Sequence, residues 1–424
     1  MDTNLFDNWF PYRRFGLFIH WGLYAIPGWH EQHMGRLGTP RDEYARLSRR
    51  FNPQKFDPDT WLDEAEAAGM RYVCFTTKHH DGFCMWDTRQ TSFNVMQTPY
   101  GRDVLQLLAA ACERRGFGLS LYYSNPDWHH PHAYNPLSSH QVAPAAGDRP
   151  DQAAYVAFIR EQIRELCSNY GKIISLFWDI PPRFAEPSLN ELVRRLQPGI
   201  MINDRGHAPG DYATPERHVP EGLRFETPTE ACQSVGRQSW GYRRNEDYYS
   251  NRVLTSSIDK IMAMGGNYLL NIGPKADGTL PARAVRSLRN VGAWYRRVRE
   301  SLEGAEPASH LLGRNDFLLT RRANTLYVHF CHGLEASGIA LNPLVSLPQR
   351  ATLLNTGRPV RTEIERMPTR FAGWGEWQPI QPCLHLYDIP VDRLSHESIV
   401  VKLEFTDLDD ALRQAGIDAP AAAV

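Results

Sequence analysis

From Phe15 to Leu302, short apolar runs rich in β-branched and aromatic residues alternate with amphipathic stretches. This is the pattern of successive strand–helix units. The expected strands cover residues 15–20, 72–79, 118–124, 173–179, 200–204, 223–227 and 267–272. The expected helices cover 58–68, 104–115, 152–170, 188–196, 252–264 and 282–302. The strand runs are apolar throughout rather than alternating, so both of their faces should be buried, as in a parallel sheet covered by helices. The fold class this predicts is α/β, with a (β/α)8-like, TIM-type barrel over residues 1–305.

After residue 305 the pattern changes. Short runs at 317–320, 325–331, 351–355, 361–366, 384–387 and 399–405 are separated by Pro, Gly and Asn turns, with no helix-length segment between them. That spacing predicts an antiparallel β-sandwich over 306–405, followed by a C-terminal tail over 406–424. No internal repeat is present.

The predicted barrel strands share one feature. His20, His79-His80, Tyr122-Tyr123, Asp179 and Asn203-Asp204-Arg205 all stand at the C-terminal end of their run. In a parallel barrel those ends meet on one face, where active sites lie. A single histidine there would be read as a core residue bonded to a carbonyl, but repetition from strand to strand indicates a site. Neighbouring strand residues point to opposite faces, so only one of His79 and His80 should point inward unless the strand end bends. Asp179 follows six largely apolar residues; such a carboxylate must be paired or hydrogen-bonded. It could cap the next helix, yet Ile180-Pro181-Pro182 follows, which suits a nucleophile or general base better. Between Asp204 and Glu230 lie several further acids, of which most should be solvated and one or two could work beside Asp179 with a raised pKa.

Composition narrows the function. Lys plus Arg is 47 and Asp plus Glu is 48, a formal net charge of -1. That balance speaks against nucleic acid or an anionic membrane as partner, and no apolar run reaches the length of a membrane span. Eighteen Phe, 18 Tyr, 11 Trp and 16 His fit a sugar-binding cleft, although they also fit ordinary core. The seven cysteines are widely spaced without CxxC, so reduced thiols are expected. The first residues lack a signal-peptide pattern, which makes the cytoplasm the default expectation. Metal ligation by His79 and His80 is the less favoured alternative, since no HxH or HxxxH spacing occurs there.

Seven segments taken together resemble glycoside hydrolase family 29, the retaining α-L-fucosidases. They are Phe15-Gly16-Leu17-Phe18-Ile19-His20-Trp21-Gly22, Thr77-Lys78-His79-His80-Asp81-Gly82-Phe83, Leu121-Tyr122-Tyr123-Ser124, Phe177-Trp178-Asp179, Asn203-Asp204-Arg205, Ser239-Trp240-Gly241-Tyr242 and Asn267-Tyr268-Leu269-Leu270-Asn271-Ile272-Gly273-Pro274. The resemblance implies hydrolysis of terminal α-L-fucosyl residues from an oligosaccharide or glycoconjugate, with no cofactor and no metal. It makes Asp179 the nucleophile of a covalent fucosyl–enzyme. It assigns His20, His79 and His80 to the fucose hydroxyls, makes Glu31 an acidic sugar ligand and Arg205 another pocket residue, and places Tyr122 near the nucleophile. Phe177, Trp178 and Trp240 become candidates to cover the C5 methyl group. For the acid/base it ranks Glu216 first, Glu230 second and Glu226 third. The chain departs from the family's pattern at Phe177, where Trp is frequent, and at Gln32, where Trp usually follows the loop Glu. The aromatic, His-rich stretch 127–136 is expected to border the leaving-group subsites, which favours α-1,3/1,4-linked substrates over a broad range including α-1,2. The sequence leaves the oligomeric state open.

Overall fold

The computed structural model describes residues 14–134, 136–313, 316–366 and 380–417. The chain divides into two compact units. The first comprises residues up to 218 together with 227–249 and 267–290, and the second 219–226, 250–266 and everything from 291 onward.

The first unit is built on seven parallel strands: β1 (Phe15–Ile19), β2 (Tyr72–Lys78), β3 (Gly118–Ser124), β4 (Ile173–Asp179), β5 (Met201–Ile202), β6 (Glu230–Ser234) and β7 (Asn267–Ile272). Their order is β5-β4-β3-β2-β1-β7-β6. Every residue in these strands is buried, the property that their uninterrupted apolar sequences call for. Gly16 is required where it stands, because a Cβ there would overlap the Tyr72 ring from the neighbouring strand. The helices between the strands start and stop on local signals. Asp57 caps Pro58–Ala68 at the amide of Asp59, and Gly69 ends that helix at φ 92°. Asp103 caps Val104–Arg115, which ends on the left-handed Gly116, and Asp151 caps Gln152–Asn169. In each case a side-chain acceptor satisfies a free helical N–H, or a glycine takes the left-handed turn.

One expectation about this unit needs correction. The sixth strand lies at 230–234, not at 223–227. Leu223-Arg224-Phe225-Glu226 imitates strand alternation, but its residues are half-buried or exposed loop. The polar-looking Glu230-Ala-Cys-Gln-Ser is fully buried instead. The sheet also has seven strands, with β5 and β6 as its edges. Between those edges runs the segment 212–216, tied on by the isolated parallel bridges Asn203↔Tyr212, Ala213↔Thr229 and Glu216↔Cys232.

In the second unit a six-stranded sheet runs Arg358–Pro359, Arg350–Leu353, Ile399–Glu404, Thr325–Phe330, Leu318–Arg322, Glu306–Pro307 in spatial order. A three-stranded sheet joins Ile339–Ala340, Cys383–Tyr387 and Arg361–Glu365. Both contribute to one apolar core that includes Leu319, Val328, Val401, Leu384 and Leu386, and all strand pairs here are antiparallel. Where only a tail was expected, Leu408–Gln414 forms a helix. Asp407 caps it and Leu408, Ala411 and Leu412 are buried on one face, the i, i+3, i+4 spacing of a docked helix.

Candidate active site

The C-terminal ends of the parallel strands surround a pocket of about 440 Å³. Asp179, the last residue of β4, is its chemical centre. Tyr122 on β3 donates its hydroxyl to Asp179 Oδ2 at 2.7 Å, and Arg205 Nη1 donates to Oδ1 at 2.9 Å. His80 Nε2 lies 3.8 Å from Oδ2. Burial opposes a charge on this carboxyl, but Arg205 above all, with the Tyr122 hydroxyl, outweighs it and holds the pKa below the ordinary value. Asp179 is therefore an anion at neutral pH.

The same Arg205 nitrogen donates to Glu216 Oε2, also at 2.9 Å. The facing oxygens of Asp179 and Glu216 are thus no more than twice 2.9 Å apart. Arg205 is itself fixed by Thr214, through the side-chain oxygen at 2.8 Å and the carbonyl at 2.6 Å. Glu216 stands on the segment that bridges the sheet edges, which brings it across the pocket from Asp179.

Three buried imidazoles, of His20, His79 and His80, line the wall together with the half-buried His140. Burial pushes the His20 pKa down to about 4 and that of His80 to about 3, and holds His79 well below its usual range. All three are neutral at pH 7, so each ring has one donor and one acceptor. The surrounding hydrogen bonds fix two tautomers. Asn271 Nδ2 donates to the Trp240 carbonyl, so its Oδ1 accepts from His20 Nδ1 at 2.7 Å. Ser124 donates to the Pro126 carbonyl and accepts from His80 Nδ1 at 2.7 Å. Both residues keep Nε2 as an acceptor. His79 Nδ1 is buried without a partner among the described residues, ready for a ligand hydroxyl. His79 and His80 both reach the pocket, contrary to strict alternation, because β2 has a register shift between Thr76 and Lys78 and ends just before them.

Glu31 is buried, and its Oε2 accepts from Ser239 Oγ and from the amides of Trp240 and Gly241 at 2.7–3.1 Å. Burial opposes its charge, but His30, His20 and Ser239 keep its pKa below the usual value. The Trp240 ring stacks on His20 at 5.3 Å, and Phe177 forms another apolar wall. Ile180, directly after Asp179, lines the pocket at φ 58°, a costly conformation for a β-branched residue. Asn125 Nδ2 holds the Ile180 carbonyl at 2.9 Å.

The structure thus brings Asp179, Glu216, His20, Glu31, His79, His80, Tyr122, Phe177, Arg205 and Trp240 to one pocket. Trp178 and Glu230 are not part of it. Trp178 points to the opposite face from Phe177 and Asp179, as strand alternation demands, and donates its indole N–H to Asn190 at 3.0 Å. Glu230 opens β6 at its N-terminal end, deep in the unit, where Tyr72 donates to its Oε1 at 2.5 Å. Glu226 is exposed and paired with Arg224. Sequence reasoning missed Asn271 and His140; Asn271 could have been found from its place near the end of an apolar strand, whereas His140 had no such signal. Among the described residues no group of three or more His, Cys, Asp and Glu could hold a metal ion, and no helix is long and apolar enough to cross a membrane.

The chain is similar over most of its length to known proteins. The family model described as Alpha-L-fucosidase matches residues 1–300. The human tissue alpha-L-fucosidase is 27% identical over 391 residues, covering 84% of this chain and 82% of that protein. The solved alpha-L-fucosidase isoenzyme 1 from Paenibacillus thiaminolyticus is 30% identical, with TM-score 0.78 over 96% of this chain and 100% of that one. A GH29 alpha-L-fucosidase from Bacteroides thetaiotaomicron, solved as a trapped covalent intermediate, is 25% identical with TM-score 0.77, covering 95% and 96% of the two chains. With residues 1–300 matched by the family model and most of the chain covered by solved fucosidases, this protein belongs to the α-L-fucosidase family, glycoside hydrolase family 29.

Proposed function

We propose that the protein is a retaining exo-α-L-fucosidase in which Asp179 is the nucleophile and Glu216 the general acid/base. The observation that carries the assignment is the shared Arg205 nitrogen, 2.9 Å from an oxygen of each carboxylate. The spacing it allows suits the ~5–5.5 Å of retaining enzymes, and leaves no room for the ~6.5–9.5 Å of inverting ones. Asp179 attacks the anomeric carbon as the glycosidic C–O bond breaks and Glu216 passes its proton to the leaving oxygen. Glu216, now a carboxylate, takes a proton from water, which attacks the same carbon and releases Asp179. The neutral imidazoles of His20, His79 and His80 exchange hydrogen bonds with the fucose hydroxyls, and Phe177 and Trp240 cover its methyl group. The scaffold is read as a (β/α)8-like barrel in which 212–216 stands for the eighth strand, with a β-sandwich in the second unit. The imidazole- and Trp-rich loop beside the pocket supports selectivity for α-1,3/1,4 linkages.

In Asp179→Gly, hydrolysis of 4-nitrophenyl α-L-fucoside should fall at least about a thousandfold, and azide should restore turnover as fucosyl azide. In Glu216→Ala, substrates with poor leaving groups should lose far more than the nitrophenyl fucoside. Activity near wild type in either variant removes that residue from the reaction. A panel of 2-, 3- and 4-linked fucosyl-oligosaccharides tests the linkage preference.

A further inference from the structure

Asn125 follows β3 directly and is buried, yet it does not line the fucose pocket. Its hydrogen bonds go instead to the two strand ends that carry the chemistry. The main-chain N–H donates to the Asp179 carbonyl at 3.0 Å. The side-chain Nδ2 donates to the Ile180 carbonyl at 2.9 Å and to the Arg205 carbonyl at 3.3 Å. One residue thus joins the nucleophile's backbone, the left-handed residue after it, and the arginine that touches both carboxylates.

The orientation of this amide is fixed. Two carbonyls can only accept, so the nitrogen faces them and Oδ1 faces the other way. There it accepts from His207 Nε2 at 2.9 Å. Burial lowers the His207 pKa to about 4, so the ring is neutral and its single N–H is used in this bond. Its Nδ1 is buried without a partner among the described residues. The imidazole packs edge-on against Trp178 at 5.1 Å and against Phe184 at 5.5 Å. On the other side Tyr155, from the helix Gln152–Asn169, donates its hydroxyl to the Asn125 carbonyl.

The sheet's own ladder does not reach these residues. β3 and β4 stop pairing at Ser124 and Asp179, and β5 pairs with β4 only through Met201 and Ile202. Ile180 and Arg205 lie beyond those last pairs. Ile180 keeps its φ of 58° only where surrounding contacts hold it. Thr214 holds the Arg205 guanidinium, whereas the Arg205 carbonyl is held by Asn125. If either strand end drifts, Arg205 Nη1 cannot stay 2.9 Å from both Asp179 and Glu216. A misplacement of about 1 Å in such a site can cost about a hundredfold in rate.

We propose that Asn125 is a positioning residue of the reaction: its amide, oriented by His207, locks the exits of β4 and β5 together and so sets the distance between the two catalytic carboxylates. The proposal rests on the fucosidase reading above and extends it to two buried side chains outside the pocket.

Two variants test it. Asn125→Leu keeps the volume and removes both donors and the acceptor. His207→Phe keeps a ring against Trp178 and Phe184 and removes only the orienting donor. The groups that face Asp179 are Arg205, His80 and Tyr122, with Glu216 across Arg205; of these only Arg205 takes its place from Asn125. A looser Arg205 stabilises the Asp179 anion less, so the acid limb of kcat/KM should move to higher pH in both variants. With 4-nitrophenyl α-L-fucoside, kcat per active site should fall about tenfold to a hundredfold in Asn125→Leu and about threefold in His207→Phe, with KM within about twofold. Active sites are counted by stoichiometric trapping of the fucosyl–enzyme. The double variant should be no worse than Asn125→Leu, because His207 acts through that amide. An acid limb in place with kcat per active site within about twofold of wild type in both variants overturns the proposal. A loss confined to the number of active sites also overturns it, since damaged folding alone produces that. Losses that multiply in the double variant overturn the part given to His207. If Asn125→Leu does not fold, His207→Phe decides by the same two readouts. A wild-type enzyme inert toward the fucoside overturns the fucosidase reading instead.

Discussion

Asp179 shows how few contacts decide a residue's chemical role. Buried without partners, its carboxyl would hold its proton; with Arg205 and Tyr122 donating to it, the proton leaves below the usual range. Since kcat/KM follows the groups of the free enzyme and the anion is the reactive form, the acid limb of the profile should lie low. Tyr122→Phe removes one donor to that anion, which raises the pKa and moves the acid limb to higher pH. The lost charge-assisted hydrogen bond should also lower kcat/KM by about tenfold to a hundredfold. An acid limb that stays in place would mean that Tyr122 does not stabilise the reacting carboxylate. The reverse sign applies to the imidazoles. Burial lowers their pKa values, so protonation of His20 below about 4 should weaken substrate binding only in strongly acidic solution. At this scale the sequence was most legible where a polar group ended an apolar run. Trp178 was misplaced because its neighbours carried the chemistry, while strand alternation turns it to the other face.

At the level of elements, the parallel strands that could be read from sequence were those with continuous apolar runs, and the parallel strand missed was β6. Glu230 and Gln233 make that segment look polar, and only the assembled sheet shows that their surroundings are closed. Glu230 carries a consequence for stability. Burial lifts its pKa to about 8 from an ordinary 4.5, so the folded protein holds a proton there that the unfolded chain releases. The raised value contributes full stability below about 4.5, and that contribution is lost as pH climbs to about 8. Glu230→Gln keeps an acceptor for Tyr72 and removes the titration. Its melting temperature should therefore gain on wild type steadily between those two pH values, with fucosidase activity retained. Parallel melting curves for the two proteins would remove Glu230 as the source. The segment 212–216 was illegible for another reason: it joins the sheet through single bridges, not through a strand's hydrophobic pattern, yet it carries Glu216.

For the whole molecule, the relevant quantity is charge. Lys and Arg nearly balance Asp and Glu, and the net charge of -1 gives little long-range field to attract or repel a ligand. Within the fucose pocket Arg205 is shared by Asp179 and Glu216, Glu31 is held by hydrogen bonds from Ser239 and the Trp240 and Gly241 amides, and the imidazoles of His20 and His80 are neutral. In the loop after β3, Asp127 pairs with Lys78 and Asp148 with Arg41. A neutral glycan therefore approaches without electrostatic guidance, and its capture depends on short-range hydrogen bonds and ring contacts. Buried pairs such as Lys78–Asp127 are also poorly screened by salt, so the pocket's shape should not change with ionic strength. Raising sodium chloride from about 0.05 to about 0.5 M should accordingly change kcat/KM for a neutral fucosyl-oligosaccharide by less than about twofold. A steep dependence with the neutral glycan would show that a charge outside the matched sets controls substrate entry.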